Sequence, residues 1–549
     1  MIEKLVKLYG EEATDVHKAV IDLMQRFSKP KSKKRVGITE KDSILITYGD
    51  SLQEKGQKPL KTLKKFLEED VKDAIQGVHI LPFYPYSSDD GFSVISYKEV
   101  DPRLGNWEDI KAISLNHDLM MDGVINHISK ESDCFSRYLK GDQAFENFFI
   151  ECDPKADYSK VVRPRALPLL TAFQVKGETK YIWTTFSDDQ IDLNYQNPQV
   201  FLYIIEVLIG YVEKGARFIR LDAIGFAWKE LGTFCIHHEK THVLVQLIRE
   251  ILVHINPEVV IVTETNVPHH ENISYFGDGH NEAHMVYQFP LPPLTLHTLI
   301  AGDSRKITAW AKSLERLSDE TTFFNFLASH DGIGVRPVEQ LLSTKEIETL
   351  VKKVELNGGR ISYKDNGDGT LSPYELNINY MDALGVYEVD EETLIKKFMA
   401  AMGILYTFIG VPGIYIHSLL GSGNDEKGVD QSGINRRINR EKLDYSQCKK
   451  EIQRDGRRKQ VFEKNLELLR IRKKEKSFHP HGFQEVMEED SRLLIIRRWD
   501  PKKTESILAL INVSNEKVAY KAKGFDLIHK TTISDIISLD PYDMAWIKE

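Results

Sequence analysis

Cysteine is scarce in this chain. Cys134, Cys152, Cys235 and Cys448 are scattered through 549 positions with no CxxC spacing. That excludes a disulfide framework and a cysteine-based zinc site, and it fits reduced thiols. Long apolar runs are also missing. None approaches the roughly 20 residues needed to span a bilayer, and the stretch from Met1 to Gly10 has no apolar core of a signal peptide. The cytoplasm is the expected location. Nor is there a large excess of one charge. The net charge of −9 is spread over 73 basic and 82 acidic residues, which argues against nucleic acid or a membrane surface as partner. Any phosphate site must then be a local basic pocket.

What is present is enough apolar residue for a large core, in a chain long enough for two or three domains. Leu5, Leu8, Val16, Ala19, Val20 and Leu23 have helical spacing, and the basic stretch Lys29 to Arg35 reads as a linker. Residues 1–40 are therefore expected to be a helical extension with its linker. Then the rhythm changes. Short apolar runs begin at Ile44, Gly77, Leu119, Phe218, Val259, Met285, Phe323 and Gly413, each followed by a helical segment. Continuous apolar runs alternating with helices mean buried parallel strands. Eight of them over 41–475 predict an α/β fold, a (β/α)₈ barrel. Residues 128–190 and 332–395 exceed ordinary loops and are expected insertions. Residues 476–549 hold short strand-like segments and are expected to form a C-terminal all-β domain.

In such a barrel the chemistry sits at the C-terminal strand ends. Here those ends carry Asp122, Asn126 and His127, then Arg220 and Asp222, then Glu264, then His330 and Asp331. Splitting a glycosidic bond with retention needs one carboxylate to attack the anomeric carbon and a second carboxyl to protonate the leaving oxygen. Asp222 and Glu264, on the fourth and fifth runs, meet that demand. Asp331 can orient the sugar. Arg220 lies two residues before Asp222, so both point to one strand face. Its charge is expected to hold the nucleophile ionised.

Four segments resemble the four signature regions of the α-amylase-type glycoside hydrolase superfamily: Asp122-Gly-Val-Ile-Asn-His127, Arg220-Leu-Asp-Ala223, Thr263-Glu-Thr265 and Ala328-Ser-His-Asp331. The resemblance implies a sugar-binding histidine in His127, the nucleophile in Asp222, the acid/base in Glu264 and a transition-state stabiliser in Asp331. Gly77-Val-His-Ile-Leu-Pro-Phe83, Asp90-Gly-Phe92, Arg103-Leu-Gly-Asn-Trp107, Leu291-Pro-Pro-Leu294, His330-Asp-Gly-Ile-Gly-Val335 and Ile438-Asn-Arg440 are similar to the sucrose phosphorylase branch. Thr263-Glu-Thr-Asn-Val-Pro-His269, Arg163-Pro-Arg-Ala-Leu-Pro168 and the N-terminal extension look most like glucosylglycerate phosphorylases. The resemblance further implies Asp89 and Arg440 as ligands of the glucosyl ring, with Arg165 and Tyr374 near phosphate. Asn266 and Glu375 depart from the His and Gln of sucrose phosphorylases on the leaving-group side, which puts fructose in doubt.

The expected reaction is transfer of an α-glucosyl group to inorganic phosphate, giving α-glucose 1-phosphate, from 2-O-α-glucosylglycerate. The alternatives are sucrose, sucrose 6-phosphate or glucosylglycerol phosphorolysis, then a retaining α-glucosidase. A non-catalytic binding relative would have lost a carboxylate, and all three stand. Arg163 and Arg165 are the expected anion site, because a guanidinium fork matches phosphate and carboxylate alike. No cofactor or metal is expected, and the oligomer considered is a homodimer. His238-Glu-Lys-Thr-His242 matches the zincin pattern HExxH, but no third ligand follows at short spacing and a barrel helix is expected there. Asp365-Asn-Gly-Asp-Gly-Thr370 resembles the start of a calcium loop but lacks its twelfth-position Glu, so a turn is expected. His79 lies inside an apolar run and reads as core.

Overall fold

The computed structural model describes residues 1–27, 37–164, 167–366 and 369–549. The expected linker Lys29 to Arg35 lies outside these residues, and so does Arg165. The turn expected at 365–370 falls partly outside them; its flanking strands pair Asp365 with Leu371.

The eight apolar runs are eight strands of one closed parallel barrel. In chain order they are β1 (Ile44–Thr47), β2 (Gly77–Ile80), β3 (Asp118–Gly123), β4 (Ala216–Leu221), β5 (Val260–Thr263), β6 (Met285–Tyr287), β7 (Thr322–Asn325) and β8 (Val411–Tyr415). Each pairs with the next, and β8 closes on β1 at Ile44↔Gly413. Both faces of each strand are covered, by barrel interior on one side and helices on the other. Hence the runs are continuous rather than alternating.

The N-terminal segment forms two helices, α1 (Ile2–Tyr9) and α2 (Ala13–Arg26). They pack on α3 (Pro198–Glu213) and α4 (Glu239–Ile255), the helices on either side of β4. Tyr9 meets Phe201 with ring centroids 6.0 Å apart, and the Met1 ammonium and Lys4 both reach Glu250. This explains the composition of α3. Its sequence Val-Phe-Leu-Tyr-Ile-Ile-Glu-Val-Leu-Ile-Gly is apolar nearly all round, as a helix covered on two sides must be.

The first insertion holds a helix (Asp133–Lys140) and a three-stranded antiparallel sheet. Gln190–Asp192, starting where the insertion ends, pair with His127–Ser129 at the barrel mouth. The second builds a three-stranded sheet in which Ile333–Gly334 and Arg360–Asp365 flank Leu371–Asn377.

The C-terminal residues form a six-stranded antiparallel sheet. Along Leu493–Trp499, Leu494 and Ile496 join the main core, whereas Leu493 and Ile495 face a separate cluster with Leu508, Leu510 and Ile547. With both faces buried, the run is again continuous. Two fully buried arginines lie where the C-terminal residues meet the barrel. Arg498 donates to the carbonyls of Thr407 (2.6 Å), His479 (3.0 Å) and Phe483 (3.2 Å). Arg472 donates to those of Tyr406, Gly410 and Phe478. Burial lowers the Arg498 pKa to about 9, but backbone acceptors satisfy the group. Removing such a cation strands carbonyls in a dry interface, at about 1–3 kcal/mol for each unsatisfied group. Arg498→Met is therefore expected to lose at least about 2 kcal/mol of stability in urea unfolding. A midpoint equal to wild type would mean that water replaces the guanidinium.

Candidate active site

Four strand ends and two insertions converge on one cavity. Asp89, His127, Asp222, Glu264, Asn266, His330, Asp331, Tyr374 and Glu375, all expected from the sequence, line it. At its base stands Arg220. Its Nη1 donates to Asp122 Oδ1 at 2.5 Å and to Asp222 Oδ1 at 2.7 Å, and its Nη2 lies 3.8 Å from Glu264 Oε2. One guanidinium thus reaches both carboxyl groups expected to do the chemistry. The register explains the reach: Arg220 sits opposite Asp122 across the β3–β4 pair, and Asp222 follows on the same face. His79 is more than core packing. Its Nε2 lies 2.6 Å from Asp122 Oδ2, so it braces the aspartate that braces Arg220.

After β4 the chain turns at Ala223, held in a left-handed conformation (φ 46°). That turn aims the Ala223 N–H at Glu264 Oε2, 3.0 Å away, and couples the ends of β4 and β5. The ionisation of the carboxyls follows from their surroundings. Burial pushes Asp222 up, Arg220 opposes it, and the net direction is upward. Burial also lifts Glu264, with Arg220 opposing and the charges of Asp222 and Asp331 adding, to about 7. Asp331 goes the other way. Burial would raise it, but Arg436, with Nη1 2.6 Å from Asp331 Oδ1, and the cations behind it hold it well below the usual carboxylate range. Burial lowers His330 to about 3, so its ring is neutral where it approaches Asp331 at 3.4 Å and stacks on Phe92 at 4.6 Å.

Asp89 and Asp90 both sit at φ near 50°, followed by Gly91 at φ 113°. A Cβ on Gly91 would lie 2.6 Å from the Pro82 carbonyl oxygen, so only glycine fits this turn. The turn separates the two aspartates. Asp89 faces the cavity. Asp90 accepts from Arg440 Nη1 and Arg437 Nη2, each at 2.5 Å. Arg440 also donates from Nε to the His330 carbonyl at 2.7 Å, and its Nη2 lies 3.9 Å from Asp331 Oδ1 without a hydrogen-bond partner. His127 is held by the Phe92 carbonyl (Nε2, 2.9 Å) and by Asn126 (Nδ1, 3.3 Å).

Arg163 does not reach the cavity. It is exposed and donates to the Leu167 carbonyl, while its neighbour Pro164 forms part of the cavity wall. The structure adds groups that the sequence does not single out, Arg436, Gln190 and Arg336 among them. Arg436 lines the cavity and grips Glu375 with Nε (3.1 Å) and Nη2 (2.9 Å). The tripeptide Ile-Asn-Arg occurs at 434–436 and again at 438–440, so the repeat itself could have drawn attention to it. Gln190, from the end of the first insertion, meets His127 at 3.2 Å, and nothing in its sequence context marks it. The HExxH histidines diverge. His238 caps α4 by accepting the Lys240 N–H, and His242 pairs with Glu282 at 2.8 Å. No helix among the described residues is long and apolar enough to cross a membrane.

This is the geometry of a two-carboxylate centre in an α-amylase-type barrel, and the comparisons agree. The family model "Alpha amylase, catalytic domain" matches residues 71–342. The glucosylglycerate phosphorylase of Spirochaeta thermophila is 47% identical over 524 residues, covering 94% of this chain and 89% of that protein. The glucosylglycerate phosphorylase of Escherichia coli is 44% identical, over 99% of each. Among solved structures, sucrose 6F-phosphate phosphorylase from Thermoanaerobacter thermosaccharolyticum superposes with a TM-score of 0.75 at 26% identity, covering 88% of this chain and 96% of that one. The chain belongs to the α-amylase family and, within it, to the group of the glucosylglycerate phosphorylases.

The charge coupling can be measured without reference to catalysis. In infrared difference spectra the carboxyl that disappears in Glu264→Gln should titrate near pH 7 in the parent. In Asp331→Asn a negative neighbour is gone, the ionised form costs less, and the same band should titrate at lower pH. An unmoved or upward-moved titration would show that Asp331 does not act on Glu264 through its charge.

Proposed function

We propose that this protein is a retaining glucosylglycerate phosphorylase, with Asp222 as nucleophile, Glu264 as acid/base and Asp331 as the carboxylate that orients the sugar and stabilises the transition state. The observation that carries the reading is the unequal contact of the two carboxyl groups with one guanidinium. Asp222 is in direct contact with Arg220, while Glu264 is 3.8 Å away and titrates near neutrality. A group that must give a proton and then take one back works best with a pKa near the working pH.

Asp222 attacks the anomeric carbon of the α-glucoside through an oxocarbenium-like transition state as the glycosidic bond breaks. Glu264 gives its proton to the departing oxygen of glycerate. The product is a β-glucosyl ester of Asp222. Phosphate then attacks the same carbon from the vacated side, Glu264 takes up the phosphate proton, and α-glucose 1-phosphate leaves with net retention. Asp331, kept ionised by Arg436, faces the positive charge that develops on the ring. Glycerate as leaving group is supported by the relatives named above and by Asn266 and Glu375 in the cavity wall. Of the anion site expected at Arg163–Arg165, Arg163 points elsewhere, and Arg165 remains a candidate contact for phosphate.

Two variants test the assignment. Asp222→Asn keeps the shape of the side chain but cannot form the ester, so turnover should fall by at least about a thousandfold with unfolding unchanged. Glu264→Gln should cost on the order of 10²–10⁴ with glucosylglycerate but far less with α-glucosyl fluoride, whose leaving group needs no proton. Equal losses on the two donors would remove Glu264 from the acid role. Release of phosphate from α-glucose 1-phosphate in the presence of glycerate checks the substrate, and its absence would sink the glycerate reading.

A further inference from the structure

We propose that Arg336 is the specificity-determining cation of the leaving-group side, holding the carboxylate of an acidic acceptor. This rests on the phosphorylase reading above and supplies what that reading lacks, a described cation in the cavity wall able to receive an anion.

The cavity wall carries five carboxyl groups: Asp89, Asp222, Glu264, Asp331 and Glu375. A negatively charged acceptor entering among them needs a positive partner, because the low dielectric of a lined cavity strengthens repulsion as much as attraction. Among the described residues that line the cavity, the permanent cations are Arg336 and Arg436. Arg436 is fully engaged. It holds Glu375 through two bonds and Asp331 through a third, so its charge is already offset by two carboxylates. Arg336 is not offset in this way. Its ion-pair partner is Glu271, at 3.5 Å, and Glu271 is shared with His237 Nε2 at the shorter distance of 3.1 Å. The Arg336 side chain remains 24% exposed.

Its position is set by the second insertion. Arg336 lies two residues after the Ile333–Gly334 strand, in which Gly334 pairs with Glu375, and the intervening Val335 N–H donates to the Tyr374 carbonyl at 3.0 Å. The residue is thus fixed to the strand that presents Tyr374 and Glu375. On the other side Asn266 packs onto Gly334, where a Cβ would come within 2.9 Å of the Asn266 amide. The missing side chain lets Asn266 and Arg336 share one end of the cavity. Asn266 Oδ1 is buried without a hydrogen-bond partner, which leaves that end short of donors until a hydroxyl-bearing ligand arrives. A planar guanidinium beside an unsatisfied amide suits a small hydroxy acid, with the fork on its carboxylate and the amide oxygen on its hydroxyl.

The test compares Arg336→Ala and Arg336→Lys with wild type. α-Glucose 1-phosphate serves as donor, and D-glycerate, glycerol and water as acceptors. Phosphate dependence is measured separately with α-glucosyl fluoride as donor. Wild-type use of glycerate checks the parent reading, and the change in acceptor preference checks this one. In Arg336→Ala, kcat/KM for glycerate should fall at least about tenfold, mainly through KM, while glycerol and hydrolysis stay within about twofold. Arg336→Lys keeps the charge but not the fork, and should recover part of the loss. Parallel losses for glycerate, glycerol and water would overturn the proposal, making Arg336 a support for Glu271. So would unchanged glycerate kinetics, or a rise in the phosphate requirement with glycerate unaffected.

Discussion

The centre depends on a buried guanidinium. Arg220 is desolvated, and it stays charged because three carboxyl groups surround it: Asp122 and Asp222 in contact and Glu264 nearby. Taking ions out of water costs several kcal/mol each, and only good geometry with additional hydrogen bonds recovers it. The barrel supplies that geometry through strand register. Arg220 lies opposite Asp122, and Asp122 is in turn bonded to His79 on β2, so three adjacent strands fix one charge. Asp122 is held at about pKa 2 by His79 and Arg220 against the opposing effect of burial. That pair is the anion–cation base on which the two reactive carboxyls stand.

A second set of charges works at the cavity rim. The segment Asn435–Asn439, after β8, sends Arg436 to Asp331 and Glu375, and Asn439 to the Ser329 and Asp331 carbonyls. Arg440 and Arg437 meet at Asp90. Loops after β2, β7 and β8 are thereby cross-linked by charge. Loss of one partner would leave another buried and unpaired, so the rim holds or fails as a unit.

How much of this was legible in the sequence follows the same division. The barrel was legible because strands buried on both faces leave unbroken apolar runs, and all eight runs marked barrel strands. Asp222, Glu264 and Asp331 were legible because strand ends have a fixed place in the fold, so sequence order alone sets them around one axis. The rim was not. Whether Asp89 or Asp90 faces inward depends on two left-handed residues before Gly91, a backbone fact that residue types do not encode. Arg163 looked right by charge in an acidic protein, yet its direction is set by a local bond to the Leu167 carbonyl. Arg336 and Gln190 come from insertions whose path across the barrel mouth has no periodic signature. His79 was legible as buried but not as a brace, since its partner is 43 residues away.

The N-terminal helices lie behind the strand that carries the buried charges. The strand that carries Arg220 and Asp222 is β4, and the helices on either side of it, α3 and α4, are the ones that α1 and α2 cover. A desolvated ion network tolerates little displacement, because a shift of a few tenths of an ångström exchanges a hydrogen bond for an unpaired charge. Doubling the apolar layer behind β4 makes outward movement of that strand expose α3, whose surface is apolar on nearly every side. The hydrophobic effect, at roughly 25 cal/mol per Å², then opposes the repulsion that a cavity lined with five carboxyl groups generates. The extension packs behind the strand that carries Arg220 and Asp222 and, among the described residues, contributes none to the cavity lining.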